Sequence, residues 1–133
     1  MSAREVFVLD ASVGVKWFKS EDGRDAALNL QARAAVGEIA LAAPTYFVHE
    51  VLSVVRRHYT AGDIVSAWKH IQASGIAIVP LDDEVVEEAA RQCGLLGCSF
   101  YDSLAPACAA LLGATLASAD AKAHGAYPGV HLV

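Results

Sequence analysis

The sequence predicts an α/β fold, a three-layer α/β/α sandwich around a mostly parallel central sheet. Two patterns point to it. Short apolar runs recur along the chain, and one or two helix-length segments separate each run from the next. Composition agrees: 55% of the 133 residues are hydrophobic, too many for a disordered chain. At this length the chain reads as a single domain over residues 1–133, able to bury about two thirds of the surface its unfolded form exposes.

The elements follow in order. VFVL (6–9) is the first strand, with a short helix from about Ser12 to Phe18 and a second from Asp22 to Ala35. IALAA (39–43) is the next strand; Pro44 then suits the first turn of a helix running to Tyr59. Gly62 separates that helix from another over 63–72, and IAIV (76–79) is the third strand. A helix begins near Asp82 and fades near Gly94 or Gly97. The segment 99–112 is helical despite Pro106. ATLA (114–117) is a fourth strand, a short helix follows Asp120, and VHLV (130–133) closes the chain as a small strand. These signals do not specify strand order.

Several function classes are disfavoured. MSARE precedes only four consecutive apolar residues, unlike the long core of a signal peptide. The uncharged stretch from Ser103 to Ala119 is interrupted by Pro106 and clusters of small residues, which suits a membrane span poorly. The expectation is a cytoplasmic protein with no membrane association. Cys93, Cys98 and Cys108 have neither the count nor the spacing of a disulfide framework or zinc site. A net charge of −5 argues against generic electrostatic attachment to nucleic acid, although a local basic face can still contact phosphate.

Four acids stand apart. Asp10 follows the first strand and Asp120 the fourth, where ligands collect in α/β sheets. Asp102 lies near a helix start. Glu50 sits at the edge of the apolar arc formed by Phe47, Val48, Val51, Leu52, Val54 and Val55, sharing its side with Tyr46 and Arg57. Each acid also has an ordinary reading. Asp10 and Asp120 can cap the helices after them, and Ser99 with Asp102 approximates a capping box. Glu50 can be a surface residue. As a group they suggest more, because clustered carboxylates repel one another and a divalent cation relieves that repulsion.

The sequence resembles the PIN-domain ribonucleases, especially the VapC-like toxins of toxin–antitoxin pairs. The resemblance runs through VLDASVGVKWF (8–18), PTYFVHEVL (44–52), YDSLAPACA (101–109) and TLASADAK (115–122), in matching order and spacing. It implies a PIN-like sandwich and a metal-dependent nuclease centre. Carried onto matching positions, the catalytic and metal-holding acids are Asp10, Glu50, Asp102 and Asp120. Ser118-Ala119-Asp120 stands where the family commonly has Thr-x-Asp, which keeps a hydroxyl at the same spacing. The implied activity is endoribonucleolytic hydrolysis of RNA phosphodiester bonds with Mg²⁺ or Mn²⁺. Carboxylate and water ligands suit those hard ions, and the lack of a His/Cys ligand cluster disfavours zinc. The resemblance also implies a small antitoxin partner and a homodimer.

Other residues are candidates for supporting roles. Ser12 can hold a water or phosphate oxygen near Asp10, or simply close the helix start, and Ser118 can support Asp120. Arg56, Arg57 and His58 form a basic cluster, with Lys16 and Lys19 after the Asp10 loop. Arg57 is the leading RNA phosphate contact, against an ordinary solvated helix end. The apolar bands around residues 48–55 and 64–71, with Trp17 and Phe18, suit either partner surfaces or the core. Two different functions compete: a non-catalytic α/β interaction module, and an aspartyl-phosphate phosphohydrolase, which DAS (10–12) fits poorly without a second Asp.

Overall fold

The computed structural model describes residues 4–133. Five parallel strands form the sheet: β1 (Glu5–Leu9), β2 (Ile39–Pro44), β3 (Ala77–Val79), β4 (Thr115–Ser118) and β5 (His131–Leu132), in spatial order β3-β2-β1-β4-β5. The helices are α1 (Ala11–Phe18), α2 (Arg24–Ala35), α3 (Thr45–His58), α4 (Ala61–Ala73), α5 (Asp83–Leu96), α6 (Phe100–Leu112) and α7 (Ala121–His124). Every described strand pairing is parallel, so the expectation of a mostly parallel sheet is met in full.

Period-two alternation along β1 builds a core on each face of the sheet. Phe7 and Leu9 join Trp17, Leu30, Phe47, Val51 and Ile71 on one side. Val8, between them, points the other way to Leu104, Ala105, Cys108 and Leu116. Parallel strands covered on both faces have no reason to carry polar residues, which is why the runs read as continuously apolar. Val51 is buried in this core and Val55 is buried beyond it, so much of the apolar band on α3 packs the chain itself. On α4 the band divides: Ile71 is buried, while Val65 and Trp68 face outward.

Local chemistry sets the element ends close to expectation. Pro44 closes β2 and stands just before α3 rather than inside its first turn, because its fixed φ suits extended backbone equally well. Gly97 ends α5 with a φ of 64°, a conformation that glycine adopts without steric penalty. Gly14 lets α1 lie against α3, since a Cβ there would collide with the Phe47 ring. Among the described residues, no single helix is long and apolar enough to cross a membrane.

Candidate active site

Asp10 and Asp120 lie on adjoining loops because β1 and β4 are neighbours, with Leu9 paired to Ala117. The Asp10 amide donates to the Ala117 carbonyl at 3.0 Å, carrying the ladder one step past β1. Ser12 then ties the loops together, its Oγ accepting from the Ala119 amide at 2.9 Å. Both acids do cap helices. Asp10 Oδ2 accepts from the Ser12 amide and Asp120 Oδ1 from the Ala123 amide, each at 3.0 Å. Capping occupies one oxygen of each carboxylate and leaves the other for a different ligand. The two readings of these residues are therefore compatible.

Asp102 arrives from the third position of α6, whose N-cap Ser99 accepts from the Asp102 amide at 3.1 Å. Its connection to the Asp120 side runs through His124, which is completely buried. His124 Nε2 contacts the Asp102 carbonyl oxygen at 2.6 Å, and Nδ1 contacts Ser118 Oγ at 2.7 Å. Ser118 Oγ in turn accepts from the Asp120 amide at 3.0 Å.

Glu50 approaches on α3, held by the Tyr46 hydroxyl, which donates to Oε2 at 3.1 Å. Tyr46 stacks on Tyr101 with ring centroids 4.5 Å apart, linking α3 to the start of α6 beside Asp102. Burial pushes the Tyr46 hydroxyl up to about 12, and the Glu50 carboxylate, Tyr101 and Asp102 add to the shift. A cavity of about 630 Å³ opens at the Tyr46–Tyr101 stack, lined by Tyr46, His49, Leu81, Phe100, Tyr101 and Leu104 among others, with none of the four acids in its lining. Phe100 and Tyr101 present exposed rings at its rim.

The donor chemistry fits a hard cation, since all four acids supply only carboxylate oxygens. Among the described residues, no three Asp, Glu, His or Cys side chains gather closely enough to form a ready-made metal cage. Mg²⁺ does not need one. It is commonly held by one or two carboxylates and keeps several waters.

The basic residues divide. Lys16 is buried and pairs with Glu21 at 3.1 Å, which removes it as a phosphate contact, while the part-exposed Lys19 reaches the same carboxylate at 3.5 Å. Arg57 lies 3.8 Å from Glu50 with most of its side chain exposed. His49 is exposed and donates through Nδ1 to the Thr45 carbonyl one turn back. Sequence reasoning missed His124, and its only signal was Pro106, four residues after Asp102, where a helix donor is lost.

The PIN domain family model matches residues 7–127. No curated protein matches the chain. Solved structures that share the fold include the following three. VapC20 of Mycobacterium tuberculosis, described as a sarcin-ricin-loop-cleaving toxin, superposes with a TM-score of 0.73 at 14% identity, over 94% of this chain and 98% of its own. VapBC2 from Rickettsia felis, bound to a promoter DNA fragment, gives 0.71 at 18% identity, covering 96% and 97%. A toxin–antitoxin complex from Klebsiella pneumoniae gives 0.70 at 15% identity, covering 92% and 93%.

Proposed function

The chain belongs to the PIN domain family, and on that premise we propose that it is a metal-dependent endoribonuclease, the toxin of a toxin–antitoxin pair. One observation carries the reading. The segments that carry the four acids are linked to one another through Ser12, Ser118, His124 and the Tyr46–Tyr101 stack, with Asp10 and Asp120 just beyond the carboxyl ends of β1 and β4. Capping alone gives no reason for those links, because a cap needs only its own helix.

Asp10 and Asp102 are the acids that would hold Mg²⁺ or Mn²⁺ directly, with Glu50 and Asp120 completing or shaping the set. A bound divalent ion would neutralise charge on the attacked phosphodiester and acidify a water. The protein supplies the rest. Ser12 ties the Asp10 and Asp120 loops together, and Tyr46 holds one oxygen of Glu50. Arg57 is placed to meet a neighbouring phosphate, a contact that positions RNA without reading its sequence. The exposed faces of Phe100 and Tyr101 offer unpaired bases a stacking surface next to the acids.

The Klebsiella complex pairs a toxin with its antitoxin, which supports a small protein antitoxin as this chain's partner. Homodimerisation is the second assembly in the proposal, with the outward Val65 and Trp68 of α4 as candidate contacts. A cytoplasmic location accompanies this reading.

The test is direct. Purified protein is incubated with a varied RNA mixture in Mg²⁺ or Mn²⁺, and again with excess chelator. Discrete cleavage products that vanish with chelator are expected. Equal cleavage with and without metal contradicts the proposal, as does metal-independent RNA binding with no cleavage of any RNA, the behaviour of an interaction module.

A further inference from the structure

Pro106 lies inside α6, four residues after Asp102. An α-helix satisfies the carbonyl of residue i with the amide of residue i+4, and proline has no amide hydrogen. The Asp102 carbonyl therefore loses its helical donor. His124 replaces that donor from another element, approaching the same oxygen at 2.6 Å. A carbonyl only accepts, so Nε2 carries the hydrogen. Ser118 Oγ already accepts from the Asp120 amide, and its own hydrogen is free to satisfy Nδ1. One buried imidazole thereby connects the backbone of Asp102 to the backbone of Asp120.

We propose that His124 is a positioning residue for the nuclease site: it sets the separation of Asp102 and Asp120, and Pro106 creates the vacancy that makes it necessary. This rests on the nuclease reading of the acids. A helix with an ordinary residue at 106 would bond the Asp102 carbonyl internally and leave α6 no polar tie to α7 at that point. Losing the donor to Pro106 turns a routine helix bond into a cross-link between two acid-bearing elements. His124 touches neither substrate nor cation in this assignment. It acts through Asp102 and through Ser118.

The experiment uses His124→Phe, His124→Gln, Pro106→Ala and the Pro106→Ala/His124→Phe double variant. Mn²⁺ binding is followed by the loss of the free-ion paramagnetic resonance signal, alongside RNA cleavage and thermal unfolding. Substitutions behind metal ligands typically weaken affinity or activity about 10–100-fold, and His124→Phe is expected within that range. His124→Gln keeps an amide donor near the position of Nε2 and should retain most of the parent's Mn²⁺ affinity. With Pro106→Ala the helix supplies its own donor, so the loss caused by His124→Phe should shrink severalfold. Unchanged Mn²⁺ binding in a folded His124→Phe protein overturns the inference, as does an equal loss in both backgrounds. If His124→Phe does not fold, the Gln variant and the double variant decide by the same criteria. A parent protein that binds no Mn²⁺ and cleaves no RNA overturns the nuclease reading instead. The Pro106–His124 compensation is then still judged by whether their effects on unfolding are coupled.

Discussion

The Tyr46 hydroxyl donates to the Glu50 carboxylate at 3.1 Å across one turn of α3. That bond fixes one oxygen of the Glu50 carboxylate and stabilises the protonated phenol. The hydroxyl is raised from 10.0 to about 12, by burial first and by Glu50 next. Because the folded value lies above the unfolded one, the associated stability is intact below about pH 10. It declines as pH rises through about 12. Tyr46→Phe should flatten this alkaline limb relative to the parent. The comparison is needed because Cys108, raised to about 11, titrates in the same window. Chemical unfolding at a series of alkaline pH values provides the measurement; parallel curves for the two proteins would contradict the assignment.

Gly14 sets the approach of α1 to α3. An added Cβ would strike the Phe47 ring and crowd Val51. Gly14→Ala should destabilise the fold by about 1–3 kcal/mol through overpacking. Urea unfolding checks this, and a change within a few tenths of a kcal/mol would show that the ring yields freely.

Ser12 joins the Asp10 and Asp120 loops through the Ala119 amide. Ser12→Ala leaves that part-buried donor unpaired, with an expected loss of about 1 kcal/mol. Amide hydrogen exchange at Ala119 should accelerate, while exchange in α5, remote from the bond, should not. Slow exchange at Ala119 in the variant would remove Ser12 from this role.

Tyr101 exposes more than half of its surface beside the acids while stacking on Tyr46. Tyr101→Ala should weaken binding of a labelled single-stranded RNA by about tenfold, the usual scale for a lost base-stacking ring. Tyr101→Trp should bind nearly as the parent does. Fluorescence anisotropy on Asp10→Asn backgrounds, which prevents cleavage from confusing the reading, provides the test. Equal affinity for Ala and Trp would exclude stacking at this position.

Most of the scaffold was legible because its determinants are local. Apolar runs marked strands buried on both faces, and Asp10, Asp82 and Ser99 announced helix starts that the structure places there. Strand order was not legible, since it depends on which faces meet. The acids were visible as positions, but separate caps and a shared centre leave the same residues in sequence. Sequence also hides the spatial pairing of their segments: Ser12 reaches Ala119 across 107 positions, and His124 reaches Asp102 across 22. Lys16 misled for the same reason. It follows the Asp10 loop in sequence, yet its ammonium turns inward to Glu21 and the Asp22 carbonyl.

The central claim is that acids set at helix starts, Asp10 as a cap and Asp102 in the first turn of α6, hold a divalent cation. Asp10→Asn and Asp102→Asn test it most directly, with RNA cleavage and thermal unfolding measured on the same preparations, with and without Mg²⁺. Asparagine retains the size of the side chain and can itself cap, so stability should change by about 1 kcal/mol or less. Without metal it can even rise, because one of several neighbouring negative charges is gone. Folded variants with cleavage abolished, and with the Mg²⁺-induced rise in unfolding temperature reduced, are the predicted result. Full cleavage and an undiminished Mg²⁺ response in both variants would contradict the account.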